Sequence, residues 1–179
     1  GQLGLNAART VEIICWPPNN RQLTEADVEA MARDLAGDYD FITYYAYAWS
    51  SVSSSTSTSE EMDIMACDER LCEAMGLKVE KGRFFTAEEN EDSSMVVVLG
   101  GASVKKLFGT ADADAVGKTV RIGNDTYTVV GTLESNSMQG DWCVAYLPYQ
   151  TAKVRLIGQQ GGSMLSIFGF ARENADIYG

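Results

Sequence analysis

The sequence contains no histidine. That removes imidazole general bases, imidazole metal ligands and every triad built on them. Catalysis by lysine, cysteine, serine or carboxylates stays open, without its commonest partner. Basic residues are also scarce: 14 Lys and Arg stand against 25 Asp and Glu, a net charge of −11. Nucleic acid needs clustered cations to neutralise its phosphates, so it is excluded as a partner. An anionic lipid surface is disfavoured on the same ground. No apolar run reaches the ~18 residues of a membrane-spanning helix, and no secretion leader is visible. No internal repeat is apparent. Both ends read as cut, at Gly1 and at Gly179 just after a strand-like segment, so the chain is expected to be a piece of something longer.

The four cysteines, Cys15, Cys67, Cys72 and Cys143, include no CxxC pair, so a four-cysteine zinc site is not expected. Four thiols allow three pairings. A Cys67–Cys72 bridge in an extracytoplasmic setting and buried free thiols both fit the spacing. What is present is globular: 45% apolar and 22% charged residues over a length of 179, enough for one domain or two small ones sharing a core.

Val11 to Trp16 reads as a strand stopped by Pro17-Pro18, and PPNNRQ as a turn. Leu23 to Leu35 is the clearest helix. Thr24 is its N-cap with Asp27 at N3, and Val28, Met31, Ala32 and Leu35 mark one buried face; Gly37 suits a left-handed C-terminal stop. Asp40 to Trp49 is an aromatic, β-branched strand. The run SSVSSSTSTS after it reads first as a flexible linker, with an edge strand as the alternative. Glu60 to Ala66 alternates as a strand, and Asp68 caps a short helix closed by Gly76. Thr86 and Glu89 form a second capping box, followed by a polar loop at Asn90 to Ser94. Met95 to Leu99 is a continuous apolar strand expected to be buried on both faces. A helix through Val104, Leu107 and Phe108 ends at Gly109, and residues 120–130 form a hairpin around Gly123-Asn124-Asp125. Gly131 to Gly140 reads as a loop, Trp142 to Leu147 as a strand, Pro148 as a helix start and Met164 to Phe170 as the last strand.

Several constellations resemble sites and fail on spacing. Gly117-Lys118-Thr119 looks like the end of a phosphate loop, but the required glycine five residues earlier is Asp112, and Asp114 adds a second carboxylate. Gly100-Gly101 lacks the GxGxxG spacing of a dinucleotide site. Asp112 and Asp114 lack the rest of a calcium loop. The carboxylates at Glu60, Glu61 and Asp63, and at Glu88, Glu89, Glu91 and Asp92, sit in polar surroundings and read as solvated faces rather than a glycosidase pair. Met62, Met65, Met75 and Met95 read as core filler rather than a docking groove. Asn124-Asp125-Thr126 is a sequon inside a tight turn, where no glycan is expected. Tyr44, Tyr45, Tyr47 and Trp49 suggest a ligand platform, with cross-strand packing the preferred reading. No catalytic, cofactor-binding or metal-ligating residue is assigned.

The order of motifs carries a resemblance. LTEADVEAM at Leu23 to Met31, GRFFT at Gly82 to Thr86, VVVLG at Val96 to Gly100, LFG at Leu107 to Gly109, GKTVRI at Gly117 to Ile122, YTVVG at Tyr127 to Gly131, and Leu147-Pro148 with Thr151-Ala152 resemble the extracytoplasmic core domain of MacB-like ABC transporter permeases, in the broad group of FtsX and the lipoprotein-releasing permeases. The chain has Asp114-Ala115-Val116 where that family often has a proline before its Gly-Lys step. The resemblance implies an α+β fold of two lobes. One is porter-like with a βαβ unit, from residues 1–62 and 142–179. The other is a smaller inserted lobe with a β-hairpin, from 63–141. It implies no enzyme activity and no cofactor, with ATP hydrolysis in a separate cytoplasmic domain or subunit. It implies location on the extracytoplasmic side of a bacterial cell membrane. The implied partners are transmembrane helices of the same polypeptide, a cytoplasmic ATPase, a second permease copy and an envelope adaptor. The implied role is to relay conformational change for export or extraction of a hydrophobic, peptide or lipid-linked cargo, or for signalling. The alternatives are a free-standing secreted or lipoprotein ligand-binding module, suggested by the Tyr/Trp strand, and a carboxylate hydrolase.

Overall fold

The computed structural model describes residues 9–135, 142–158 and 164–173. Among them run β1 (Thr10–Ile13), α1 (Glu25–Asp34), β2 (Tyr39–Ser53), β3 (Glu60–Cys67), α2 (Leu71–Ala74), β4 (Val79–Gly82), α3 (Ala87–Glu91), β5 (Val96–Leu99), α4 (Gly101–Phe108), β6 (Thr119–Ile122), β7 (Asp125–Leu133), β8 (Val144–Pro148), α5 (Tyr149–Ala152) with a wide turn Lys153–Ile157 after it, and β9 (Leu165–Ala171). This is the expected α+β class. All nine strands join one mixed sheet in the order β1-β9-β2-β3-β8-β5-β7-β4, with β6 against both β2 and β7. Because β6 pairs back to β2 through Val52–Ile122 and Ser53–Arg121, hydrogen bonding closes a ring of β2, β3, β8, β5, β7 and β6. β1, α1 and β2 form the expected strand–helix–strand unit, with β9 inserted antiparallel between the two strands.

Strand alternation sorts the core into two faces. Ile42, Tyr44, Ala46, Ala48 and Val52 of β2, Met62, Ile64 and Ala66 of β3, Val97 and Leu99 of β5, and Ala145 and Leu147 of β8 share one apolar cluster with residues of α1, α4 and α5. The opposite parity, Met65, Cys67, Val98, Val144 and Tyr146, meets Leu71, Phe85 and Leu133 on the other face. Val97, Val98 and Leu99 are fully buried, as a strand covered on both sides requires. Ser103 of α4 is also fully buried. Its hydroxyl donates to the Val144 carbonyl at 2.8 Å and accepts the Val144 N–H at 2.8 Å.

Both capping boxes form, at Thr24 with Asp27 and at Thr86 with Glu89. Five expectations need correction. The Ser/Thr run is no linker: residues 50–53 continue β2, and Ser54 to Ser59 turn the chain into β3. There the Ser54 hydroxyl and the Thr56 hydroxyl (3.2 Å) donate to the Leu107 carbonyl, satisfying the open end of α4. Gly37 is not left-handed; α1 ends at Leu35 with φ −107, and its carbonyl takes the N–H groups of Asp38 and Tyr39. Asn90 lies inside α3 and is buried. Residues 131–133 continue β7, because Gly82 and Val79 of β4 pair with Gly131 and Leu133. β1 stops at Ile13, leaving Ile14 and Trp16 exposed. Residues 1–8, 136–141 and the Gln159–Gly162 loop lie outside the described residues. The expected boundary after residue 62 falls inside β3, and the sheet runs across it through the β3–β8, β5–β8 and β2–β6 pairings.

Two substitutions test this core. Val97→Asp places an unpaired charge in a closed interior and is expected to cost about 4 kcal/mol or more, abolishing the cooperative thermal transition followed by circular dichroism. Ser103→Ala leaves the Val144 N–H without its partner and is expected to cost about 1–3 kcal/mol in urea unfolding.

Candidate interaction surface

The glycine and lysine of the GKT segment are already used by the fold. The Gly117 N–H donates to the Val129 carbonyl at 2.8 Å, and the Lys118 carbonyl accepts the Val129 N–H at 2.9 Å. The Lys118 ammonium lies 5.6 Å over the Phe108 ring. Backbone donors spent on a hairpin cannot cradle a phosphate. At the acidic loop, the Lys81 ammonium donates to the Asp112 carbonyl at 2.9 Å and to that of Ala113. Glu89 is paired to Arg83 at 2.7 Å. That hydrogen bond, with the Thr86 cap, lowers the Glu89 pKa.

The cysteines are free thiols. Burial pushes Cys67 well above its ordinary pKa and Cys72 up to about 11. Both are therefore protonated and poorly nucleophilic near neutrality.

A cavity of about 420 Å³ opens between α1, α3 and β2. Val28, Ala32 and Ile42 form its apolar side; Glu25, Asp68 and Gln150 are among its polar lining. Tyr44 is buried there, edge-on to Tyr149 at 5.2 Å. Asn90 accepts the Gln150 N–H at 3.0 Å, and the Gln150 amide reaches Glu25. Asp68 accepts the Thr43 hydroxyl and the Arg70 N–H (3.1 Å). Burial, helped by the neighbouring Glu69, raises its pKa to about 7 despite those hydrogen bonds. The Thr43 hydroxyl donates to Asp68, which ties β2 to the turn before α2.

The aromatic strand divides. Tyr44 and Tyr45 pack as preferred, Tyr45 stacking on Phe168 of β9 at 5.7 Å. Tyr47 and Trp49 do not: they are 49% and 56% exposed on the face opposite the ring's apolar cluster. Opposite Trp49 in register stands Asp63, which accepts hydrogen bonds from Tyr47 and from the Trp142 indole. Sequence reasoning placed Asp63 among solvated carboxylates and missed Trp142. The available signal was alternation within β3, which puts Asp63 on the face opposite Met62 and Ile64; that Tyr47 and Trp49 share that face follows only from the β2–β3 register.

Known proteins resemble this chain in sequence and in fold. The model of the MacB-like periplasmic core domain family matches residues 2–177. The macrolide export ATP-binding/permease protein MacB of Hahella chejuensis is 33% identical over 109 residues, covering 59% of this chain and 16% of that protein. The fold resembles the periplasmic region of MacB from Actinobacillus actinomycetemcomitans, with a TM-score of 0.78 at 20% identity over 96% of this chain and 78% of that one. It also resembles the extracellular domain of the transporter YknZ from Gram-positive bacteria, with a TM-score of 0.72 at 17% identity over 90% of this chain and 83% of that one.

Asp68 gives a pH prediction. Its folded pKa lies above the ordinary value of 3.8, so the folded state binds the proton more tightly than the unfolded chain. Stability therefore falls as pH rises from about 4 to about 7, with the full penalty present above 7. Asp68→Asn is expected to flatten that slope. At pH 8 it should raise stability by on the order of 1–2 kcal/mol, a value discounted for partial solvent contact; denaturant melts at pH 4 and pH 8 measure it.

Proposed function

The chain belongs to the MacB-like periplasmic core domain family, and from that membership we propose that it is a non-catalytic relay domain on the extracytoplasmic side of a bacterial ABC transporter permease. One observation carries the relay reading. Thr10 at the start of β1 pairs with Phe170 at the end of β9, so the incoming and outgoing chain lie side by side on neighbouring strands. Arg9 clamps them. Its guanidinium donates to the Ala171 carbonyl at 2.9 Å, pairs with Asp40 at 2.7 Å and lies 4.2 Å over the Phe170 ring. Two membrane helices flanking the domain would pull on one edge of one sheet.

In this reading ATP hydrolysis belongs to a cytoplasmic domain or subunit, and the permease works as a pair with an envelope adaptor. The cargo is hydrophobic, peptide-like or lipid-linked. We retain, as part of the proposal, a mechanical division into residues 1–62 with 142–179, which hold both ends, and residues 63–141. A ligand-binding module is the second reading, and the exposure of Tyr47 and Trp49 favours it.

Two measurements test the relay. The full-length reading frame is expected to place apolar spans of ~20 residues beside both ends; a frame without them overturns the reading. In the complete transporter, replacing residues 9–173 by a flexible linker is expected to leave ATP hydrolysis measurable and to reduce ATP-driven export at least tenfold. Unchanged export would remove the domain from the transport cycle.

A further inference from the structure

The outer face of the sheet is covered unevenly. Around Met65, Cys67 and Tyr146 it is closed by Leu71, Phe85 and Leu133. Among the described residues that cover ends further along the same strands, and a groove of about 450 Å³ lies there, lined by Tyr47, Trp49, Glu61, Asp63 and Trp142 among others. Its rings are held. The Tyr47 hydroxyl donates to one oxygen of Asp63 at 2.5 Å and the Trp142 indole N–H to the other at 2.5 Å. A carboxylate offers about four acceptor positions, so Asp63 keeps capacity for further donors.

Among the described residues, the lining combines three aromatic side chains and two carboxylates with no lysine or arginine. Electron-rich ring faces attract cations, and a guanidinium can stack on a ring while forking its N–H groups to a carboxylate. An anionic ligand would meet Glu61 and Asp63 without compensation. A small free cation would stay largely solvated in so open a groove, whereas small-molecule sites bury most of their ligand. A side chain presented by a polypeptide has its remaining contacts on the surrounding surface. The net charge of −11 would steer a basic partner toward the domain. We infer that this groove docks an arginine side chain carried on a basic segment of a partner protein.

The inference does not depend on the relay reading, because it is tested on this chain alone. The probe is a blocked hexapeptide of alternating arginine and glycine. Its controls are the same peptide with neutral citrulline, N-acetyl-arginine amide, and a neutral oligosaccharide. Indole N–H resonances in two-dimensional NMR separate Trp49 and Trp142 from Trp16. The arginine peptide is expected to shift the first two and leave Trp16 in place. Binding should weaken at least tenfold with citrulline, with Trp49→Ala and with Asp63→Asn, and should weaken as salt is added. Trp49→Ala removes a largely exposed ring, and an unchanged thermal melt shows that its effect is on binding. Equal binding of the citrulline peptide, equal affinity for N-acetyl-arginine amide, binding of the oligosaccharide alone, or no shift with the arginine peptide would each overturn the assignment.

Discussion

β8 has a partner on each edge, and the sheet closes through it. Asp63 to Cys67 of β3 run parallel to one side, and Val98 and Leu99 of β5 run antiparallel to the other. All of its residues are buried. Ser103 and the Gly100 N–H fix its first peptide by holding Val144 at 2.8–3.0 Å. Gly100 is needed for this approach: a Cβ there would sit 2.8 Å from a Val144 methyl. The first residue of β8 is thus set by the start of α4, some forty positions earlier in the chain. Once it is set, parity distributes every neighbouring side chain between the two faces.

The same constraint produces the open groove. β8 begins at Val144, opposite Asp63, so the chain just before it runs beyond the covered part of the outer face. Trp142 is delivered to Asp63 by that short approach. Tyr47 and Trp49 follow by register from β2. The aromatic rings are exposed beyond the cover formed by Phe85 and the turn around Leu71, and Asp63 accepts hydrogen bonds from two of them.

Local signals were legible where a few neighbouring residues decide the outcome. Thr24 with Asp27 and Thr86 with Glu89 specify helix starts within four positions, and both formed. The triple valine of β5 specified burial without its partners being known. Long-range pairing was not legible. Ser50 to Ser53 look like linker by composition, yet they are strand because β3 and β6 supply their hydrogen bonds. Gly131 looks like the start of a loop, yet it is strand: a Cβ there would meet the Arg83 carbonyl at 1.9 Å, so the close crossing of β4 requires glycine. Tyr44 and Tyr47 have the same composition context. Their parity relative to β3 sends one into the core and the other to solvent, and parity relative to an unseen neighbour is what a single sequence withholds.

The closed ring also limits how movement can pass through the domain. A strand inside the ring has two hydrogen-bonded neighbours, so it cannot slide without breaking both ladders. β1 and β9 lie outside the ring and are joined to it by the β9–β2 pairing from Tyr39–Ala171 to Ala46–Leu165, with Leu165 and Ile167 of β9 packed in the ring's apolar cluster. A displacement of β1 and β9 would reach the ring through that ladder and that packing. It enters β2 near Phe41, and β2 continues to Trp49, a distance on the order of 26 Å at about 3.3 Å per residue. In the relay proposed above, the strand that would receive the movement is the strand that carries Tyr47 and Trp49 at its far portion.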